Sequence, residues 1–150
     1  MGCRPTALRY KSYSRTGDHC VLFDCDERKS VLLNGIVVAM GGAVGAVLRY
    51  LIGLLPLNPQ NGFPLKTFCI NVIGAFVIGL VAALSARASL NPRFTLFLKV
   101  GICGGFTTFS SFALETETLL GKGNQTIALL YVLSSLVCGV LAVAVAESLV

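Results

Sequence analysis

Gly101-Ile102-Cys103-Gly104-Gly105-Phe106-Thr107-Thr108-Phe109-Ser110-Ser111-Phe112 lies in the middle of an apolar segment, yet it reads poorly as one continuous helix. Adjacent glycines and adjacent β-branched threonines weaken helical propensity. Lipid, however, demands a satisfied backbone, and chain leaves the helical ladder at membrane depth only where it is buried in protein or lines a cavity. Gly104 to Thr108 is therefore the expected break, with freed carbonyls able to face a cation. If helix resumes beyond it, Phe109 and Phe112 share a face, and Thr108, Ser111 and Glu115 form a polar row at spacings of three and four. A broken helix with an aromatic row beside a hydroxyl row suggests an ion path.

Outward from this stretch, composition places the chain in a membrane. Of its 150 residues 55% are hydrophobic and 13% charged, against about 25% charged in a soluble domain, and the mean hydropathy is +0.79. Val31 to Leu48, Thr67 to Ala86 and Gly123 to Ala146 contain no ionisable Asp, Glu, Lys, Arg or His. Each is near or above the roughly 18–20 residues that cross the hydrocarbon core as a helix. Phe94 to Leu120 is long enough too but holds Lys99, Glu115 and Glu117, with Lys99 early enough to snorkel to an interface. The expected architecture is an all-α membrane protein of four spans, about 31–55, 65–86, 93–120 and 125–147, the third broken. Residues 31–150 form one membrane domain, and residues 1–30 read as a disordered basic tail. That tail carries Arg4, Arg9, Lys11, Arg15, Arg28 and Lys29 but no apolar core of a signal peptide. Asp18, Asp24, Asp26 and Glu27 argue against a transit peptide. The net charge of +5 sits in this tail and in short loops, so nucleic-acid binding is not expected. The six cysteines show no spacing suited to a metal site or a disulfide framework.

Within the spans, Gly41 and Gly45 form a small-residue face for close helix approach, and Arg49 with Tyr50 suits the far interface. Arg49 serves either as a snorkelling anchor, which the residues alone favour, or as a cation at a vestibule mouth. Thr67 and Asn71 stand four apart on one face of the second span. Asn71 is either helix–helix glue or a donor to a partly dehydrated anion. Asn91 and Pro92 make an N-cap and first-turn pair for the third span. Tyr131, Ser135 and Gly139 share a face of the fourth. With an even number of spans, Arg87 and Arg93 on one side oppose Arg49, Lys66 and Lys122 on the other. This near-balance orients the chain weakly by the positive-inside rule, so an antiparallel dimer is expected.

These residues resemble the CrcB (Fluc) fluoride channels over about Leu33 to Glu147. The resemblance rests on Gly42-Ala43-Val44-Gly45-Ala46-Val47-Leu48-Arg49-Tyr50, on Thr67 with Asn71 and Gly74, and on Gly101 to Phe112. It implies a dual-topology antiparallel homodimer of four-helix subunits, with a paired homologous subunit as the variant arrangement, in a bacterial inner membrane. It further implies fluoride pores lined by Phe109, Phe112, Asn71, Thr67, Ser111, Thr108, Tyr131 and Ser135, with Arg49 and Glu115 at the vestibule. A structural Na⁺ would rest on backbone carbonyls of Gly104 and Thr107 from each subunit. Lys66 departs from the family, which commonly has Gly there. The function expected is passive export of cytoplasmic fluoride. The runner-up is a proton-coupled small transporter, which needs an intramembrane carboxylate; Glu115 is the candidate. An enzyme is not expected, since no nucleophile, base and acid set is assembled and His19 stands alone in the tail.

Overall fold

In a computed structural model, residues 25–57, 59–60, 62–87 and 90–150 are described. Their order is α1 (Cys25–Gly53), α2 (Leu65–Arg87), α3 (Pro92–Leu96), a π-helical segment (Phe97–Cys103), α4 (Gly104–Phe106), α5 (Phe109–Gly121) and α6 (Gln125–Ser148). Among the described residues there is no strand. Four helical stretches are long and apolar enough to cross a membrane: Glu27–Gly53, Leu65–Arg87, Pro92–Gly121 and Gln125–Ser148. The expected four spans are present.

Two boundaries differ from expectation. The proposed tail mostly lies outside the described residues, but Cys25 to Ser30 are helical and belong to α1. Glu27, Arg28 and Lys29 are good helix formers, and their exposed side chains extend the span by a polar turn. The break is also narrower than expected. Gly104 and Gly105 are helical, with φ −64° and ψ −37° at Gly104. Only Thr107 (φ −74°, ψ 156°) and Thr108 (φ −150°, ψ 115°) are extended, as β-branched side chains prefer.

Glycines instead set the distance between helices. A Cβ on Gly101 would stand 2.8 Å from Gly41 Cα, and one on Gly45 would overlap Ile102 O and lie 2.7 Å from Phe106 N. The small-residue face of α1 therefore presses its backbone against the π segment and α4, the contact that close approach allows in membranes. The π-helical turns ahead of the break were not legible beforehand; such segments are rare and concentrate at functional sites.

α1 packs chiefly on the π segment and α4, α2 packs along α6, and α5 leans on α6. Asn91 caps α3, its Oδ1 accepting from Arg93 N at 2.9 Å with Pro92 at the first position. Lys66 Nζ donates to Gly53 O at 2.8 Å, closing the C-terminus of α1 from the start of α2. The buried residues are few, among them Ile70, Val81, Cys103, Leu119, Ala128 and Tyr131. Most large apolar side chains of α1 and α6 are exposed, as expected of helices whose outer surface meets lipid or another subunit.

Candidate functional site at the helix break

Breaking the third span strands backbone groups, and α2 supplies their partner. Thr108 N–H donates to Asn71 Oδ1 at 2.9 Å, and Asn71 Nδ2 donates to Thr108 O at 3.2 Å. One amide thus clamps both polar groups of one extended residue. Asn71 has a second N–H left after this. Thr107 folds back on the helix before the break: its N–H and its hydroxyl both donate to Cys103 O, at 3.0 and 2.9 Å.

On the far side, Thr108 is the N-cap of α5. Its Oγ1 accepts from Ser111 N at 3.2 Å and donates to Ser111 Oγ at 3.1 Å. The amides of Phe109 and Ser110, at the first two helical positions, then lack intrahelical acceptors, and the positive end of the α5 dipole points at the break. Two carbonyls lose their donors by the same geometry. Thr108 N is taken by Asn71 rather than by Gly104 O, and Ser111 N by the cap rather than by Thr107 O.

Beside the break lies a cavity of about 250 Å³ lined by Asn71, Thr107, Thr108, Phe109, Phe112, Ser135 and Leu136. Five of the expected pore residues line it: Asn71, Thr108, Phe109, Phe112 and Ser135. Ser135 Oγ is buried and has no hydrogen-bond partner, an unusual state for a hydroxyl away from water. Phe109 is 80% exposed, and its ring centroid is 5.7 Å from that of Phe112. Ser111 touches this group through its hydroxyl bond to Thr108 rather than by lining the cavity.

Thr67 and Tyr131 do not line it. They meet at Glu115, whose Oε1 accepts from Thr67 Oγ1 at 2.7 Å and whose Oε2 accepts from Tyr131 OH at 2.8 Å. Thr67 is 6% exposed and Tyr131 fully buried. Glu115, read from sequence as a vestibule residue, is thus half-buried and holds two hydroxyls from α2 and α6. The two polar groups are joined by aromatic contact, since the Phe112 ring lies 5.1 Å from Tyr131. Phe63, in the connection between α1 and α2, packs edge-on against Tyr131 at 5.4 Å and Phe68 at 5.7 Å. Sequence reading passed over Phe63, because a loop aromatic has no periodic neighbours to mark its face. Arg49 is half-buried near the end of α1, one turn before the Gly53 carbonyl that Lys66 caps.

Among the described residues no group of His, Cys, Asp and Glu side chains is placed to hold a metal ion, and Cys69, Cys103 and Cys138 are free thiols. Carbonyl oxygens at the break are the donors a hard cation would use. Gly104 is exposed, and a Cβ there would meet nothing within 4 Å.

Comparison with known proteins bears on this arrangement. A family model described as CrcB-like protein, Camphor Resistance (CrcB), matches residues 36–146. A protein of Agrobacterium fabrum named fluoride-specific ion channel FluC is 43% identical over 116 residues, which cover 75% of this chain and 91% of the relative. Its namesake in Thermus thermophilus is 47% identical over 105 residues, 69% of this chain and 84% of that one. A third, from Helicobacter acinonychis, is 44% identical over 110 residues, 71% and 87% of the two chains. These relatives are named as ion channels, not enzymes. With four spans and a family match over residues 36–146 that reaches into each of them, this chain is a multi-pass membrane protein and belongs to the CrcB-like family.

Proposed function

We propose that the chain conducts fluoride passively out of the cytoplasm through the cavity beside the break. The observation that carries this reading is Ser135 Oγ, buried without a partner beside a cavity that Ser135, Asn71 and Phe112 line together. Fluoride is small and strongly hydrated, so a path across lipid has to replace its water with other donors. Ser135 supplies a hydroxyl, Asn71 an amide N–H, and the start of α5 two unpaired amides at a positive dipole end. Ring edges of Phe109 and Phe112 are electropositive and add weak C–H donors. Among the described residues no cationic side chain lines the cavity, which keeps a bound anion from being held too tightly to leave. The names of the relatives support the choice of anion.

The exposed apolar faces and the balanced loop charges support an antiparallel homodimer of opposite orientations, in which Phe109 meets the second copy rather than lipid. Carbonyls of Gly104 and Thr107 from both copies would hold a Na⁺, a purely structural ion that fixes the two breaks against each other. Such a channel needs no energy source: HF that enters from an acidic medium dissociates inside, and the negative interior drives the anion out.

Efflux from liposomes loaded with fluoride or chloride, with valinomycin carrying charge-balancing K⁺, tests the reading. Fluoride release with chloride retained is the expected result. Release of both ions alike, or of fluoride only under an imposed proton gradient, would overturn it.

A further inference from the structure

At the opposite end of α1 a second cleft opens, away from the break. A cavity of about 560 Å³ is lined by Ser30, Asn34, Asn91, Pro92, Arg93 and Leu96. A neighbouring one of about 340 Å³ is lined by Val37, Met40, Asn91, Arg93, Phe94 and Phe97. They share Asn91 and Arg93, so they form successive parts of one groove along the seam between α1 and α3.

Its chemistry changes along its length. Ser30, Asn34 and Val37 follow each other at spacings of four and three, so they descend one face of α1. The groove is polar where the helices begin and apolar further into the span, where Val37, Met40, Phe94 and Phe97 form its walls. At its polar end Arg93 is an exposed cation, and Asn34 Oδ1 is a buried acceptor without a partner. Asn91 spends its Oδ1 on the helix cap, which leaves its N–H₂ free to donate. Arg28, Lys29 and Arg87 lie at the same end by connectivity and, with Arg93, outnumber Asp26, Glu27 and Glu147 by one, so the described residues leave this end slightly basic.

We infer that this groove binds an anionic phospholipid. Its phosphate takes Arg93, the Asn91 amide and the Ser30 hydroxyl. Asn34, one turn deeper than Ser30, donates its amide N–H to an ester carbonyl below the phosphate, and an acyl chain lies along Val37, Met40 and Phe97. The gradient from polar to apolar is what selects a lipid: free phosphate would leave the lower groove empty, and a peptide helix would find polar walls where it needs apolar ones. Guanidinium recognises phosphate oxygens in pairs, and a basic helix end favours an anionic leaflet.

The test is native mass spectrometry and thermal unfolding of the full chain in neutral detergent, with phosphatidylglycerol, phosphatidylcholine or inorganic phosphate added. Phosphatidylglycerol is expected to give a retained adduct and a raised melting temperature, with phosphatidylcholine much weaker and phosphate inert. Arg93→Gln, and independently Asn34→Leu, should weaken the adduct by about tenfold or more for the loss of a charged or buried hydrogen bond. Both variants should elute as the parent does and keep its ion flux in neutral liposomes, which shows that they fold. Equal stabilisation by both lipids, an effect of phosphate matching that of phosphatidylglycerol, or an unchanged adduct in both variants would overturn the inference. So would a change of oligomeric state in either variant, which would make the groove a subunit contact.

Discussion

Asn71→Leu is the perturbation that reads the break most directly. The two side chains share the same number and branching of heavy atoms and Leu is the bulkier, so no cavity is created, and what is lost is the pair of bonds to Thr108, at 2.9 and 3.2 Å. Thr108 is 8% exposed, so both of its backbone groups would be stranded away from bulk water. Leaving a buried donor or acceptor unpaired costs about 1–3 kcal/mol each, an upper total of roughly 6. Side-chain bonds within membranes average only about 0.6 kcal/mol because the unfolded chain finds other partners, which sets a floor near 1. The expected loss lies between, at about 2–4 kcal/mol, read as a shift in an unfolding titration in mixed micelles. Fluoride efflux should fall with it, since Thr108 also caps α5 and aims Phe112. Thr108→Ala is the companion variant: it removes the capping hydroxyl but keeps the backbone clamp, and should cost about 1 kcal/mol. If Asn71→Leu unfolds within about 0.5 kcal/mol of the parent, the scatter of neutral surface changes, and still conducts, then Asn71 does not hold the break.

Other substitutions separate packing from conduction. Gly45→Ala drives a Cβ into the backbone of Ile102 and Phe106, where nothing can yield, while Gly42→Ala meets nothing within 4 Å. Thermal unfolding should show a loss of about 1–3 kcal/mol or more for the first and far less for the second. Tyr131→Phe keeps the ring contacts to Phe63 and Phe112 but deletes the donor to Glu115 Oε2; a loss of about 1–3 kcal/mol is expected. It should be non-additive with Thr67→Val in a double-mutant cycle, because both act on one carboxylate. Phe112→Ile should abolish fluoride efflux while the protein remains folded, and efflux at the parental rate would remove the aromatic ring from the proposed path.

How far the sequence disclosed all this depends on whether the information is local. Runs free of ionisable residues mark the four spans because lipid imposes both length and composition on each one separately. The rows on single helices were equally legible: Thr67 with Asn71, Ser111 with Glu115, and Tyr131 with Ser135. Which row member meets which across the bundle was not, since that depends on how each helix is rotated and where it starts. Hence the meeting of Thr67 and Tyr131 at Glu115, apart from the cavity that Ser135 lines, could not be read from spacing. The break itself was found for a half-right reason. The threonines adopt the extended conformation, whereas the glycines beside them remain helical and serve the contact with α1, a role visible only once Gly41 and Gly45 lie against Gly101 and Gly105. The π segment leaves no signature in Phe97 to Cys103, and Lys66 gave no hint that it reaches back to cap α1.

Glu115 is where conduction and proton coupling part company. A proton-coupled transporter needs a carboxylate that gains and loses a proton during the cycle, and among the described residues Glu115 is the half-buried one. Its oxygens, however, already accept from Thr67 and Tyr131, hydroxyls that a neutral amide could also engage because each can donate or accept. Glu115→Gln therefore removes the charge and the exchangeable proton while preserving the frame that carries Phe112. In a passive channel fluoride efflux under valinomycin should persist in this variant and stay independent of the proton gradient. Loss of transport in a folded Glu115→Gln protein, with restoration by no ionophore, would refute passive conduction and move the carboxylate to the centre of the mechanism.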